Sequence, residues 1–220
     1  MARDLDKLRR KVLDASIALV AEHGVRAVSF REVARRAGVS HQTPYHHFGD
    51  HLGILHAVAK EGFAALTAAM TAAAASAGDD PPGALHAAGV AYVAFARSHV
   101  GHFRVMFQRT LVDVHDEQMP LPEADQTYGT LVRLATAVHR AGYGGRLSAE
   151  GVAHLSWSTV HGLSLLLVEG IMASKRPSRR ANDADLIRQV VGGLDLLLRT
   201  RRPAPGSKAA LPKATARRQR

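Results

Sequence analysis

The sequence predicts an all-α protein with a small N-terminal domain of three helices, residues 1–50, and a larger helical domain, residues 51–201. Three observations carry this prediction. Apolar residues recur at spacings of three and four after residue 50, and no alternating strand pattern occurs. Residues 29–48 read as two short helices joined by a turn that contains a glycine. The 220 residues, 46% of them hydrophobic, suffice for one small and one larger core.

The first of the two short helices is predicted from its end signals. Ser29 and Glu32 form an S-x-x-E capping box, so a helix should begin at Phe30. Gly38 can adopt the left-handed conformation that ends a helix, and Ser40 can cap the next one. Between these signals the apolar residues fall at i, i+3, i+4 and i+7, on one helical face: Phe30, Val33, Ala34 and Ala37. This spacing is typical of a helix-turn-helix.

The second short helix offers polar side chains, as a helix in a DNA groove does. Such side chains can hydrogen-bond to base edges and phosphate oxygens. The alternative is a capped, solvated helix in an ordinary bundle, because a helix-turn-helix spacing alone is weak evidence. The polar run is Ser40, His41, Gln42, Thr43, Tyr45, His46 and His47.

The order of motifs in residues 9–60 resembles the N-terminal domain of TetR-family transcriptional regulators. The resemblance rests on S-F-R-E-V-A-R-R-A-G-V-S, then Y-H-H-F-G-D, then an apolar helix. It implies that Tyr45 and His47 contact phosphates and that Phe48 anchors the core. The full set of residues expected to contact DNA is Ser29, Arg31, Ser40, His41, Gln42, Thr43, Tyr45, His46, His47 and His51.

Two residues depart from the pattern of that family. Pro44 stands where an apolar helix former is usual, which costs little so early in a helix. His51 replaces the lysine that usually begins the fourth helix. A neutral histidine lacks a permanent charge, so this phosphate contact should be weaker and sensitive to pH.

The rest of the chain reads as helices separated by polar or glycine-containing segments. The predicted helices span 52–75, 83–98, 123–141, 148–174 and 184–201, with a shorter one around 103–107. Gly101 is interpreted as a break before the shorter helix. Residues 112–122 should form a loop and residues 176–183 a polar linker.

The larger domain should bind a ligand. Residues 83–175 contain Y-V-A-F-A-R-S-H-V-G-H-F-R-V-M-F and S-W-S-T-V-H-G-L, which resemble the ligand-binding domain of the TetR subgroup named for a Trp…His-Gly motif. Apolar bulk with a few polar tips is typical of ligand sites, although core packing is the alternative for any one residue. The candidate pocket residues are Leu66, Met70, Tyr92, Phe95, Phe103, Met106, Phe107, Tyr128, Leu131, Trp157 and His161.

The last two helices should form a dimer interface. In the family they pair with their symmetry mates in a four-helix arrangement, and a palindromic operator needs two reading helices. Gly162, Gly192 and Gly193 would let backbones approach closely there. The alternative is a helix packed inside a monomer. The candidate interface residues are Thr159, Gly162, Leu163, Leu166, Leu186, Val190, Val191, Leu194, Leu197 and Leu198.

The net charge of +10 is unevenly distributed along the chain. Residues 1–55 carry +3, residues 56–200 carry 0 and residues 201–220 carry +7. The composition of residues 202–220 predicts a disordered basic tail. Such a tail acts either as a solubilising extension or as an arm that adds salt-sensitive DNA affinity.

Composition and motifs argue against several other classes of protein. The chain has no cysteine, and its thirteen histidines show no H-E-x-x-H spacing, so neither a disulfide nor a metal site is predicted. It has no G-x-S-x-G, P-loop or dinucleotide fingerprint, so neither an enzyme nor a cofactor is expected. No apolar run approaches the ~20 residues that span a bilayer, and no leader is evident, so a cytoplasmic protein is predicted.

The sequence therefore predicts a homodimeric DNA-binding transcriptional regulator. We expect a repressor that a small-molecule effector releases from a palindromic operator. One alternative is a constitutive DNA-binding protein whose C-terminal bundle only dimerises. Another is a helical carrier that has lost DNA binding. A sizeable closed cavity in the larger domain would favour the effector-released regulator over the constitutive protein, and a filled core would favour the constitutive protein.

Overall fold

The chain is helical throughout the residues that the computed structural model describes, which are 2–108, 119–172 and 182–203. These ranges hold nine α-helices, a short 3-10 helix at Val25–Ala27 and no β-strand, which confirms the all-α prediction. The α-helices are α1 Ala2–His23, α2 Phe30–Ala37, α3 Thr43–Phe48, α4 His51–Ala75, α5 Pro81–Ser98, α6 Val100–Met106, α7 Pro122–Arg140, α8 Ala149–Val168 and α9 Asp183–Leu198.

Helix α2 forms as predicted from its end signals. The Ser29 hydroxyl accepts a hydrogen bond from the Glu32 amide at 3.3 Å, and the helix begins at Phe30. Gly38 ends it with a φ of 63°, in the left-handed region. The second half of the capping box is replaced by an ion pair, because the Glu32 carboxylate binds the Arg35 guanidinium at 2.9 Å.

Ser40 does not cap α3, which corrects the sequence prediction. Gln42 stands at the N-cap without a side-chain cap, and α3 begins at Thr43. The Thr43 amide donates to the Ser40 carbonyl at 3.0 Å, and the two hydroxyls lie 2.8 Å apart. The chain therefore closes a turn over residues 40–43 before the helix starts, and Ser40 belongs to that turn.

Helices α4 to α9 form the larger bundle, with α5 at its centre. Helix α5 contacts α4, α7, α8 and α9. Helix α4 joins the two parts of the molecule, because it packs against α1 and α3 as well as α5, α6 and α7. The core is continuous from Val12 and Leu19 of α1 through Leu55 and Phe63 of α4 to Val93 of α5.

Gly101 lies inside α6, and the sequence prediction of a helix break there is wrong. The break falls at His99, which has a non-helical conformation. A Cβ atom on Gly101 would lie 2.3 Å from the carbonyl oxygen of Ile17 on α1. This glycine therefore permits close approach of two helices rather than a turn.

The ends of the later helices differ from the prediction by a few residues. Helix α8 ends at Val168 rather than near residue 174, because Gly170 adopts a left-handed φ of 68° just beyond it. Helix α9 ends at Leu198 rather than near residue 201. The predicted loop at 112–122, linker at 176–183 and tail at 202–220 lie mostly outside the described residues.

Helix α6 also holds the C-terminal end of α1. The Arg104 guanidinium donates to the carbonyls of Val20 at 3.3 Å and Ala21 at 2.9 Å, in the last turn of α1. The Val20 carbonyl also accepts from the Gly24 amide at 2.9 Å, so Arg104 adds a second donor there. The same guanidinium pairs with Glu169, just after α8, at 2.9 Å. One side chain of α6 thus ties the end of α8 to the end of α1.

Helices α4 and α8 are long and apolar enough to cross a membrane, judged by length and composition alone. In each, the most apolar window has a mean hydropathy of 1.2. Their apolar stretches are thus longer than the sequence analysis allowed. Both helices pack against α5 and α7 within the bundle, where a largely apolar helix is a core element.

Candidate nucleic-acid interface and ligand cavity

The polar side chains around α3 lie at the surface of the N-terminal part. This reading surface comprises the ten residues predicted to contact DNA. Thr43 and His47 are half-buried, and the other members are exposed: Ser29, Arg31, Ser40, His41, Gln42, Tyr45, His46 and His51. Pro44 is buried in the first turn of α3, where no intrahelical bond requires its missing N–H. The departure from the family pattern at Pro44 is therefore compatible with the helix.

Tyr45 is anchored to α2 while most of it remains at the surface. Its ring packs edge-to-face on Phe30, with centroids 4.0 Å apart, and the side chain is 56% exposed. Phe48, one turn further along α3, is half-buried and lies 5.1 Å from the Arg9 guanidinium. These contacts fix α3 against both α1 and α2.

Few permanent positive charges lie on the reading surface. Residues 39–51 contain no lysine or arginine. Arg35 and Arg36 of α2 are occupied by Glu32 and Glu22, and these arginines hold the pKa of both carboxyls below the usual value. Arg31 is exposed and forms no ion pair within the described residues. Histidines therefore make up most of the basic groups on this surface.

A cavity of about 580 Å³ lies inside the larger bundle, walled by α4, α5, α6, α7, α8 and α9. It is lined mainly by apolar and aromatic side chains. Eight of the eleven candidate pocket residues line it: Met70, Tyr92, Met106, Phe107, Tyr128, Leu131, Trp157 and His161. Tyr128 and Trp157 are 39% and 38% exposed and lie at its rim.

Three candidate pocket residues do not line the cavity. Leu66 and Phe103 are buried in the core, and Phe95 stacks on His99 with ring centroids 4.5 Å apart. For these three side chains, core packing replaces the predicted ligand contact. The helical spacing that selected them identifies a buried face, but not which buried residues border a void.

Helix α9 supplies a cavity wall that sequence reasoning missed. Its apolar stripe reads as a dimer interface, yet Val191, Leu194 and Leu198 face the cavity, together with Asp195. Other lining residues that were not anticipated include Phe63, Pro82, Leu85, His86, Ala88, Gly89, Ala124, Asp125, Thr127, Ser156 and Val160. No sequence motif marks them, because they are ordinary members of helical faces.

Two polar side chains that line the cavity, Tyr92 and His161, lie within hydrogen-bonding distance of each other. The Tyr92 hydroxyl lies 2.9 Å from His161 Nδ1. Burial raises the pKa of Tyr92 above its usual value and lowers that of His161, so both groups are neutral at pH 7. The His161 ring lies 4.5 Å from the Phe107 ring between centroids, so the pair sits in an aromatic environment.

Two further polar atoms at the cavity wall are buried without a hydrogen-bond partner in the described part of the chain. They are Nδ1 of His86 on α5 and Oδ1 of Asp195 on α9. Buried polar atoms are nearly always hydrogen-bonded in folded proteins. Within the described ranges, no group of three or more histidine, aspartate or glutamate side chains could hold a metal ion.

The predicted dimer interface divides into an inner and an outer set. Leu163, Val191 and Leu198 are buried within the chain and leave little of their surface for contact with another copy. Thr159, Leu186, Val190 and Leu194 are half-buried, the last three against the core. Of the remaining predicted residues, Leu166 and Leu197 are exposed and Gly162 is half-buried. What we call the exposed face of α8 and α9 combines these three with Gly192, Gly193 and two exposed leucines that were not predicted to be interface residues, Leu165 and Leu196.

The glycines of this exposed face have open space beside them. A Cβ atom built on Gly162, Gly192 or Gly193 would meet no atom within 4 Å in the described structure. Leu196 is 74% exposed and Leu197 is 56% exposed. Large apolar side chains grouped with accessible glycine backbone are typical of a surface that packs against another helix.

Two sequence models match the chain. Residues 12–58 match the model described as bacterial regulatory proteins of the tetR family, and residues 85–190 match one described as a tetracyclin repressor-like C-terminal domain. Neither description tests the Trp…His-Gly subgroup, which stays a prediction. A comparison with curated proteins found no match.

Several solved structures share the fold. A protein of unknown function from Rhodococcus sp. RHA1 is 28% identical with a TM-score of 0.71, over 88% of this chain and 96% of that one. A tetR-family bacterial regulatory protein from Rhodococcus RHA1 is 22% identical with a TM-score of 0.67, over 87% and 96%. PfmR, a TetR-family transcriptional regulator from Thermus thermophilus, is 22% identical with a TM-score of 0.65, over 86% and 97%.

Proposed function

Because the chain belongs to the TetR family of bacterial regulatory proteins, we propose that it is a homodimeric, cytoplasmic transcriptional repressor. It binds a palindromic operator and leaves it when a small molecule occupies the cavity. The observation that carries this proposal is the combination of two features in one chain. A helix-turn-helix presents exposed polar side chains, and the attached bundle encloses about 580 Å³.

DNA recognition is supported by the position of α3. Its polar side chains are exposed, and Tyr45 is fixed by Phe30 with more than half of its surface free. Phosphate contacts from Tyr45, His47 and Arg31 would set the register on the duplex. Exposed side chains of the turn before α3 would then reach base edges in the major groove.

Dimerisation is supported by the exposed face of α8 and α9. Two such faces related by a two-fold axis are self-complementary, and their glycines would let helices approach closely. A dimer places two reading helices about 34–36 Å apart, which matches successive major grooves on one side of the duplex.

Release by an effector is supported by the cavity. Its volume falls in the range of small-molecule sites, and its lining joins apolar surface to a few polar groups. An effector that binds one conformation of the bundle more tightly shifts the population toward it. Arg104 and Gly101 of α6 connect that bundle to α1, so a changed α6 position alters the placement of the reading surface. A bundle that only dimerises has no use for such a cavity, which disfavours the constitutive alternative.

Genomic DNA selection with the purified full-length protein tests the DNA-binding part. The wild type and a Tyr45→Ala, His47→Ala double variant are compared, with His139→Ala on α7 as a control far from the reading surface. We expect the wild type and the control to select one short pseudo-palindrome and the double variant to select none. If the wild type selects no sequence above its charge-driven background, the regulator proposal is wrong and a carrier function is favoured.

A further inference from the structure

The charge of the cavity wall restricts which effector the cavity can bind, where the cavity has the role in the function proposed above. The described lining residues include two carboxylates, Asp125 and Asp195, and no lysine or arginine. An anionic ligand would meet two carboxylates there and no lysine or arginine. A neutral or cationic ligand would not be repelled.

One carboxylate oxygen of Asp195 has a hydrogen-bond partner, and the other has none within the described residues. Its Oδ2 accepts from Arg199 Nε at 2.9 Å, and Arg199 Nη2 also donates to Asp80 Oδ2 at 2.7 Å. One guanidinium therefore serves two carboxylates. Asp195 Oδ1 is buried at the cavity wall and has no partner within the described residues. An ionised carboxylate oxygen can only accept, so its missing partner must be a donor.

His86 lies at nearly the same level of the wall as Asp195. Helices α5 and α9 run antiparallel, because Asp80 meets Arg199 at one end while a Cβ on Gly89 would lie 3.5 Å from Val191 Cγ1 further along. Counting from these two points places His86 within about one helical turn of Asp195. Its unpartnered Nδ1 is a second acceptor when Nε2 carries the proton.

We propose that the effector is an apolar amine whose protonated head pairs with the side chains of Asp195 and His86. A primary ammonium carries three N–H donors and no acceptor, which suits two lining residues that each hold an unpartnered acceptor. Its positive charge lies next to the carboxylate of Asp195, the member of this ion-pair group that lines the cavity. The apolar remainder of the molecule fills the aromatic part of the cavity, which Phe63, Phe107 and Trp157 line.

Trp157 makes binding directly measurable. It is the chain's only tryptophan, and it lies at the cavity rim. Three probes with the same twelve-carbon chain separate the possibilities: dodecylamine, protonated at neutral pH, 1-dodecanol and dodecanoate. Each is titrated into the full-length protein, below its micelle concentration, while Trp157 fluorescence is followed. We expect dodecylamine to bind at least about tenfold more tightly than dodecanol, and dodecanoate more weakly than both.

Two matched variants isolate the contribution of Asp195. Asp195→Asn removes the carboxylate that borders the cavity, whereas Asp80→Asn removes the other partner of Arg199, which does not line it. Both lose one negative charge next to the same guanidinium. We expect Asp195→Asn to weaken dodecylamine binding about tenfold and to leave dodecanol binding unchanged. Asp80→Asn should leave both unchanged, and thermal unfolding shows that each variant is folded.

Several results would overturn the amine proposal. One is that dodecanoate binds as tightly as dodecylamine. Another is that the Asp195→Asn variant is folded and binds dodecylamine with unchanged affinity. If dodecanol binds the protein and releases it from DNA, while dodecylamine does neither, the amine proposal is wrong but the repressor function still holds. Amine binding by a protein that selects no operator would support the cavity chemistry and reject the repressor function.

Discussion

At Gly101 the backbones of α6 and α1 touch, and the smallest possible side chain is already too large. A Cβ atom there would lie 2.3 Å from the Ile17 carbonyl oxygen and 2.9 Å from its Cγ2. We expect Gly101→Ala to lower the free energy of unfolding by about 2 kcal/mol, the usual cost of overpacking. Urea unfolding measures the change. Gly129→Ala on α7 is the control, because its Cβ would meet only Arg133 Nη1 at 3.7 Å; it should be neutral or stabilising.

His161 makes the stability of the bundle depend on pH. Burial lowers its pKa below the ordinary value of 6.5, so between these values the unfolded chain binds the proton and the folded chain does not. The contribution of His161 to the free energy of unfolding is fully present above pH 6.5. It is lost as the pH falls through the pKa that His161 has in the folded protein. His102 contributes in the same direction.

We therefore expect the urea midpoint of the wild type to fall between pH 8 and pH 5.5. The fall should be smaller in His161→Asn, which has lost one of the titrating groups. Substitution of the exposed His46 by Asn controls for the removal of a histidine as such. An equal fall in the wild type and His161→Asn would contradict this assignment.

The residues around Gly101 also show where sequence reasoning succeeds and fails. A glycine in a chain without coordinates signals either a turn or a close contact, and only the position of Ile17 on another helix decides between them. Gly38 was predictable because its signals are local: a capping box before it and an apolar period that ends at it. His86 and Asp195 were missed for the same reason as Gly101, since nothing local marks a side chain that borders a void.

At the scale of the element, α3 and the start of α4 carry histidines where a DNA-binding surface usually carries fixed positive charge. His41, His46, His47 and His51 lie in or beside these helices, and residues 39–51 hold no lysine or arginine. A permanent positive charge at one of these positions should therefore strengthen binding to DNA.

We expect His51→Lys, which supplies a permanent charge at the start of α4, to bind a selected operator more tightly than the wild type, since each added phosphate contact strengthens binding and steepens its salt dependence. Fluorescence anisotropy at several salt concentrations measures the affinity and the salt slope. An unchanged affinity and salt slope in His51→Lys would show that residue 51 makes no ionic contact with phosphate.

Helix α9 shows how far an apolar stripe can be interpreted. Its period correctly predicted a helix with one apolar face, but that face turns inward to the cavity at Val191 and Leu198. The outward side carries Leu196 and Leu197 instead. A sequence period identifies which residues share a face; which neighbour covers that face depends on the whole bundle.

At the scale of the whole molecule, the exposed face of α8 and α9 should hold two copies together. Leu196→Lys places a charge on the most exposed leucine of this face, where it would meet its own symmetry mate or apolar surface. We expect the dimer dissociation constant to rise at least about 100-fold, equivalent to about 3 kcal/mol. Light scattering on a sizing column measures the mass. Val132→Lys, at a 37% exposed position on α7, should leave the mass unchanged, and an unchanged mass in Leu196→Lys would place the interface elsewhere.

The contact between Gly101 and Ile17 has a mechanical consequence. Packed side chains can absorb a small displacement by changing rotamer, but here backbone meets backbone and nothing between the two helices can yield. Arg104, one turn further along α6, donates hydrogen bonds to the carbonyls at the end of α1. A single short helix therefore contacts α1 at two points. A shift of α6 would therefore be passed to α1 through this crossing. It is a second connection between the bundle and the DNA-binding end, beside the one that α4 makes with α1 and α3.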